Sequence, residues 1–182
     1  EEIPAFKEEI IKLNSKVDGC RIGFDAGGSD RKVSAVVDGE VIFSNETVWN
    51  PKITEDPQYH YDGILESMKL AASKMERVDA IGISSAGIYV NNRIMVASLF
   101  LKVKKEDFDK KVKNMYIDVC KEFGDVPVVV ANDGDVTALA GAIDLKDNCV
   151  LGIAMGTSEA VGYINDKGGL NGWLSELAFV PV

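Results

Sequence analysis

The sequence predicts an α/β protein, with one complete domain built on a mixed sheet flanked by helices and then the opening of a second, similar domain. Three observations carry this. Apolar runs of strand length alternate with stretches whose apolar residues recur at helical spacing. Three of these runs lead directly into glycine- or aspartate-bearing turns, Asp25-Ala26-Gly27-Gly28-Ser29, Asn132-Asp133-Gly134-Asp135 and Gly156-Thr157-Ser158. The strands after residue 146 are too few to bury a sheet of their own. The expected domains are therefore 1–146 and 147–182, the second incomplete.

The elements follow in order. Residues 5–16 place Ile10, Ile11 and Leu13 at helical spacing among charges, which predicts a short amphipathic helix. Arg21-Ile22-Gly23-Phe24-Asp25 reads as a buried strand running into the first glycine turn. Residues 33–37 and 40–47 flank Asp38-Gly39, a hairpin signal because both turn positions need positive φ. Pro51 and Pro57 mark a loop over 50–59, and Ile64, Leu65, Met68, Ala71, Ala72 and Met75 form a helical stripe. Residues 79–84 are the next buried strand, ending in Ser84-Ser85-Ala86-Gly87, with a short strand near 94–97 after it. Phe108, Val112, Met115, Tyr116, Val119 and Cys120 predict one longer helix that Gly124 ends. Residues 127–131 form a buried strand, Asn132-Asp133 caps a helix to about residue 142, and 144–148 is the linker. Residues 149–155 and 160–164 pair around the third turn, and this unit echoes the strand–glycine-turn–strand unit of residues 21–37.

Composition narrows the function classes. Of 182 residues, 46% are hydrophobic, enough for a packed core. Twenty basic and 29 acidic residues give a net charge of −9 without any basic stripe, which argues against nucleic-acid or anionic-membrane partners. Cys20, Cys120 and Cys149 are dispersed, and His60 is the one histidine, so no zinc site is expected and the thiols read as buried and reduced. The first twelve residues show neither a signal-peptide h-region nor a membrane-length apolar run, so the expected location is cytoplasmic.

Strand ends at a sheet rim are where α/β proteins place chemistry. Small residues at Gly27-Gly28-Ser29 permit close approach of backbone N–H groups to phosphate, and Asp25 at the strand end is a candidate Mg²⁺ ligand through water. The same residues also suit an ordinary glycine hairpin with Asp25 as its cap. Asp133, at a strand end and helix start, is placed to take a proton from a hydroxyl, with Asn132 orienting that hydroxyl. Helix capping is the other reading of the pair, and both hold if one residue caps while its neighbour reaches a ligand. Asp135, in the first turn, is expected to interact with the helix dipole. Gly156, Thr157 and Ser158 form a second candidate phosphate turn, although Glu159 sets a carboxylate beside it. Glu176, among apolar neighbours, is either a surface residue or a sugar-hydroxyl acceptor.

Together these segments resemble the ROK family of sugar kinases and sugar-responsive repressors, within the actin-like, ribonuclease H-fold ATPase superfamily. Phe24-Asp25-Ala26-Gly27-Gly28-Ser29 is similar to the family's D-x-G-G-T motif, and Ile81-Gly82-Ile83-Ser84-Ser85-Ala86-Gly87 to its G-x-x-x-P-G segment. Residues 127–142 resemble P-V-x-V-x-N-D-A-N-A-A-A-L, 150–164 the second phosphate segment, and 172–179 the G-E-I-G-H segment. The matches keep the family's order over nearly the whole chain after residue 20.

The resemblance implies a role for each matched residue. Asp133 matches the base that deprotonates the sugar hydroxyl, and Asn132, Glu176 and Gly87 match substrate contacts. Asp25, Gly27, Gly28 and Ser29 match the phosphate and Mg²⁺ side of an ATP site, with Gly156, Thr157 and Ser158 opposite. It also implies ATP and Mg²⁺ as cofactors, a small-molecule sugar as partner, and a homodimer as a common state of such folds. Departures are Ser158-Glu159-Ala160-Val161 after the second glycine turn, Phe179 where the family has histidine, and no proline in Ser85-Ala86-Gly87. About twenty residues precede the first strand, too few for a helix-turn-helix, so DNA binding is not expected. The zinc segment and adenosine lobe would lie beyond Val182, so the chain alone is expected to be inactive. The expected parent activity is phosphorylation of a sugar or sugar-like molecule with MgATP. The alternatives are a sugar-binding protein that has lost nucleotide chemistry and a scaffold that uses the fold for assembly.

Overall fold

The computed structural model describes residues 10–12, 18–155, 159–171 and 177. Its contacts divide the chain into two units, Lys16–Asn132 and a second made of Glu1–Ser15 with Asp133–Val182.

The first unit is a five-stranded sheet ordered β4-β3-β2-β5-β8. Strands β2 (Cys20–Ala26), β3 (Asp30–Val37) and β4 (Glu40–Val48) are the antiparallel trio expected from the sequence. The β3–β4 turn has Asp38 at φ 50° and Gly39 at φ 85°, the paired left-handed conformations of a type I′ hairpin. Strands β5 (Ala80–Ser85) and β8 (Val128–Ala131) then run parallel to β2.

Helix α1 (Pro57–Ala72) and the segment around α3 (Met115–Cys120) share one core with this sheet. Ile22, Phe24, Val33, Ile81 and Ile83 from the strands join Ile64 and Met68 of α1 and Met115, Tyr116 and Val119 of α3. Because the two helices share that face, the strands expected to be buried on both sides instead alternate. On β5, Ile81 and Ile83 are buried while Gly82 between them is exposed, and Val129 of β8 is 56% exposed. His60 of α1 is fully buried, its ring nitrogens meeting the carbonyl oxygens of Asp56, Pro51 and Leu99.

Several expectations need correction in this unit. The 50–59 stretch is not all loop, because Pro51 opens a 3₁₀ turn and Pro57 is the first residue of α1. Proline suits that position since its missing N–H would have no helical partner, and Asp56 supplies the cap by accepting from Gln58 N. The single helix expected over 108–120 is broken into α2 (Lys105–Asp107), a π-helical stretch (Phe108–Val112), α3 and a 3₁₀ turn. Strand β7 (Arg93–Val96) has an unforeseen partner, β6 (Ile88–Val90), joined to it by Asn91-Asn92 at φ 51° and 62°. Cys20 and Cys120 are buried, and burial pushes the Cys120 thiol up to about 12, whereas Cys149 is exposed.

The second unit is a four-stranded sheet, β1-β11-β10-β9, with helix α4 (Asp133–Leu145) packed on β9 (Val150–Met155) and β10 (Glu159–Ile164). The expected boundary at residue 146 therefore differs from the observed division at Asn132 and Asp133. The reason is steric: a Cβ on Gly152 would lie 2.5 Å from Ala138 Cα, and one on Gly162 would lie 2.5 Å from the carbonyl carbon of Gly134. Glycine at both places lets α4 lie flush against the two strands, so it belongs to the sheet that follows it. The helix expected over 5–16 is overturned at its centre. Residues Ile10–Lys12 form β1, antiparallel to β11 (Gly169–Asn171) with Ile11 opposite Leu170, and the remainder of 5–16 lies largely outside the described residues. Among the described residues no helix is long and apolar enough to cross a membrane.

Candidate functional site

The parallel pairing of β2, β5 and β8 determines what meets at the sheet rim. Asp25 lies opposite Ser84, and Ser84 opposite Ala131. Within two residues of this row, three different turns leave the same edge: Gly27-Gly28-Ser29 after β2, Ala86-Gly87 after β5 and Asn132 after β8. This is the carboxyl end of the parallel strands, where open α/β sheets bind ligands.

The first turn is held from outside. Trp49 Nε1 donates to Gly27 O at 2.8 Å, and Trp49 N donates to Ser29 O at 3.0 Å. Asp30 accepts from Lys32 Nζ at 2.8 Å and from Ser29 Oγ at 3.0 Å, and the hydrogen bond from Lys32 holds its carboxyl below the usual range. Asp25 is half-buried and lies directly opposite Lys32 of β3 in the β2–β3 pairing. Lys52 is the residue that sequence reasoning missed. Its Nζ stands 2.7 Å from where a Cβ on Gly28 would be, so an ammonium lies against the glycine turn. The only sequence signal was a lysine next to Pro51, which pointed nowhere.

The second turn is bracketed from below. Tyr116 OH donates to Ser85 Oγ at 3.1 Å, and Ser85 Oγ donates to Ala26 O at 3.5 Å. Tyr116 is completely buried, which pushes its phenol well above the usual range. Ser85 therefore ties the rim of β5 to β2 and α3. Gly87 presents its carbonyl to Asn132, whose Nδ2 donates to it at 2.9 Å. Buried Asn132 thus links the second and third turns.

Asp133 follows at once as the first residue of α4. Its Oδ1 accepts from Gly134 N at 3.1 Å, and its carbonyl accepts from Thr137 Oγ1 at 2.8 Å. Asp135 stands in the first turn of α4, where the sequence puts it. The helix dipole would favour its ionised form, yet its carboxyl is pushed up to about 6, first by burial and then by the charge of Asp133. Glu159 opens β10 opposite Met155 and is exposed. Gly156, Thr157, Ser158 and Glu176, also singled out from the sequence, lie outside the described residues.

Chemically, the rim offers a glycine turn with an ammonium beside it, a strand-end carboxylate at Asp25 and the Asn132 amide bonded to Gly87. Among the described residues no group of three or more His, Cys, Asp or Glu is arranged to hold a metal ion by itself. Asp25 has the hard oxygen donors that Mg²⁺ prefers, and such an ion characteristically completes its shell with water and phosphate oxygens.

No protein-family model matches the chain, and no curated protein matches it in sequence. Solved structures do match. A ROK family glucokinase from Streptomyces griseus, in complex with glucose and AMPPNP, is 21% identical with a TM-score of 0.66, over 90% of this chain and 51% of that one. The inorganic polyphosphate/ATP-glucomannokinase from Arthrobacter sp. strain KM is 20% identical with a TM-score of 0.64, over 91% and 65%. A ROK family transcriptional regulator, a homologue of the E. coli MLC protein, is 19% identical with a TM-score of 0.57, over 87% and 40%. The chain thus spans about half the length of the glucokinase and less than two thirds of the glucomannokinase.

Proposed function

We propose that this chain, whose fold is that of ROK-family proteins and of the actin-like ATPases, is the N-terminal part of a kinase acting on a sugar or sugar-like molecule. The reaction moves the γ-phosphoryl group of ATP to a substrate hydroxyl, releasing ADP and a proton. The observation that carries this reading is the Asp25–Ser84–Ala131 row, which sends the glycine turn, Gly87 and Asn132 off one sheet edge.

Asp133 takes the hydroxyl proton as the oxygen attacks, and Asn132, Gly87 and Glu176 contact the substrate. Gly27, Gly28 and Ser29 bind the phosphates, with the Lys52 ammonium adding charge at that turn, and Gly156, Thr157 and Ser158 are assigned the same role from the sequence. Asp25 would hold Mg²⁺ through water, and the ion when bound offsets the charge on the transferring phosphoryl group. The protein's own part is mainly positioning and charge stabilisation.

The test is ADP release by the full-length protein with MgATP and a sugar panel, beside Asp133→Asn. Sugar-dependent turnover that falls about 10²–10⁴-fold in the variant supports the proposal. Turnover that survives the substitution removes Asp133 from the role of base. A second reading, sugar binding without transfer, draws on Glu159, an exposed carboxylate directly after the second glycine turn that would repel phosphate. It predicts that a sugar raises Tm while MgATP leaves it unmoved.

A further inference from the structure

The chain passes from β5 to β6 through Ser84-Ser85-Ala86-Gly87, four small residues with no proline among them. Side chains this small restrict a backbone little, so the order of the turn has to come from outside it. Three consecutive turn residues are each held by a side chain from a different element. Tyr116 of α3 donates to Ser85 Oγ, Tyr89 of β6 donates from its hydroxyl to Ala86 O at 3.0 Å, and Asn132 Nδ2 donates to Gly87 O. Gly87 is buried at φ 142°, and a Cβ there would run into Val96 O at the end of β7. The turn is therefore both tied and sterically confined.

Tyr89 is delivered by a hairpin that is itself fixed to the sheet. Asn92, in the β6–β7 turn, meets the outer edge of β8 as a strand would: its Nδ2 donates to Val128 O and its Oδ1 accepts from Val130 N, both at 2.9 Å. The Tyr89 ring lies 6.2 Å from that of Tyr116, at 47°. Tyr116 is completely buried, which gives the Tyr89 ring a close-packed neighbour. The two tyrosines differ in reach. Tyr116 acts through Ser85, which also bonds Ala26 at the head of the glycine turn, whereas the Tyr89 bond ends on the second turn, one residue before Gly87.

We infer that Tyr89 is a positioning residue for the substrate side of the site: by holding Ala86 O it keeps Gly87, and the Asn132 amide bonded to it, where a sugar meets them. The inference rests on the kinase reading above, which assigns substrate contacts to Gly87 and Asn132. Tyr89 acts through the backbone of Ala86 and takes no part in proton or phosphoryl transfer. Its loss should therefore be felt in sugar binding and not at the phosphates, which the glycine turn after β2 receives.

The experiment measures ADP release by the full-length protein with MgATP and with glucose, mannose, galactose and fructose as probes, beside Tyr89→Phe and Asn92→Gly. The first variant removes one oxygen and keeps the ring. The second frees the hairpin with a residue that tolerates the φ of 62°. Each should raise the KM for the sugar about three- to tenfold, with the KM for MgATP within about twofold of the parent's. A sugar KM that does not move in Tyr89→Phe overturns the inference. So does an MgATP KM that rises in step, since a general loosening of the fold gives that result. If the parent turns over none of these sugars, the kinase reading fails by itself, and the rise in Tm that each sugar gives decides the inference. A rise that shrinks in Tyr89→Phe upholds the positioning role; a rise equal in both proteins, or none in the parent, overturns it.

Discussion

Replacing Asp135 with asparagine should stabilise the chain at neutral pH, and the gain should vanish in acid. Burial, with the Asp133 charge second, raises the Asp135 carboxyl from 3.8 to about 6. At about 1.4 kcal/mol per pKa unit, this displacement sets a ceiling near 3 kcal/mol. Asp135 is only half-buried, and solvent screening brings the expected effect to about 1–2 kcal/mol. The opposing helix-dipole contribution, about 0.3–1 kcal/mol, is too small to reverse the sign. The folded carboxyl titrates above its unfolded value, so between about pH 4 and pH 6 the native state keeps a proton that the unfolded chain has released. Stability therefore falls as pH rises through that window and is level above it. Below about pH 4 both states are protonated, and parent and variant should converge. Urea unfolding of both proteins from about pH 4 to pH 7 measures this directly. Equal stabilities at neutral pH, or a difference that does not change with pH, would refute the reasoning. Asp133→Asn should narrow the window, because it removes the second cause of the shift.

Two other substitutions probe the packing and the rim. Gly152→Ala drives a methyl group into the backbone of α4 at Ala138 and should cost about 1–3 kcal/mol, read as a lower urea midpoint. An unchanged midpoint would mean that α4 does not lie flush on β9. Lys52→Met removes the ammonium beside Gly28 and should raise the KM for MgATP of the full-length protein about three- to tenfold, with kcat less affected. A KM that does not move would separate Lys52 from the phosphates.

What the sequence determined by itself was local. Asp38-Gly39 announced its hairpin because the left-handed conformations that join two strands select those residues, and φ of 50° and 85° are what the turn adopts. Apolar runs of strand length located β2, β5 and β8, and the turns that end them marked the rim. Asn91-Asn92 carried a similar signal for β6–β7, weaker because asparagine lacks glycine's freedom. What only the tertiary structure decided was non-local. Ile10–Lys12 follow a helical pattern, yet pair as a strand with Gly169–Asn171, a partner far along the chain that no nearby residue reveals. Helix α4 joins the second unit because Gly152 and Gly162 admit it, a steric fit that exists only once β9 and β10 are beside it. Lys52 at the glycine turn, Asn132 bonded to Gly87 and Arg31 buried against Glu66 are likewise products of chain crossing, since each joins residues too far apart in sequence to share a motif. Periodicity reports which face of an element is apolar, but the partner of that face is set by packing that the whole chain completes.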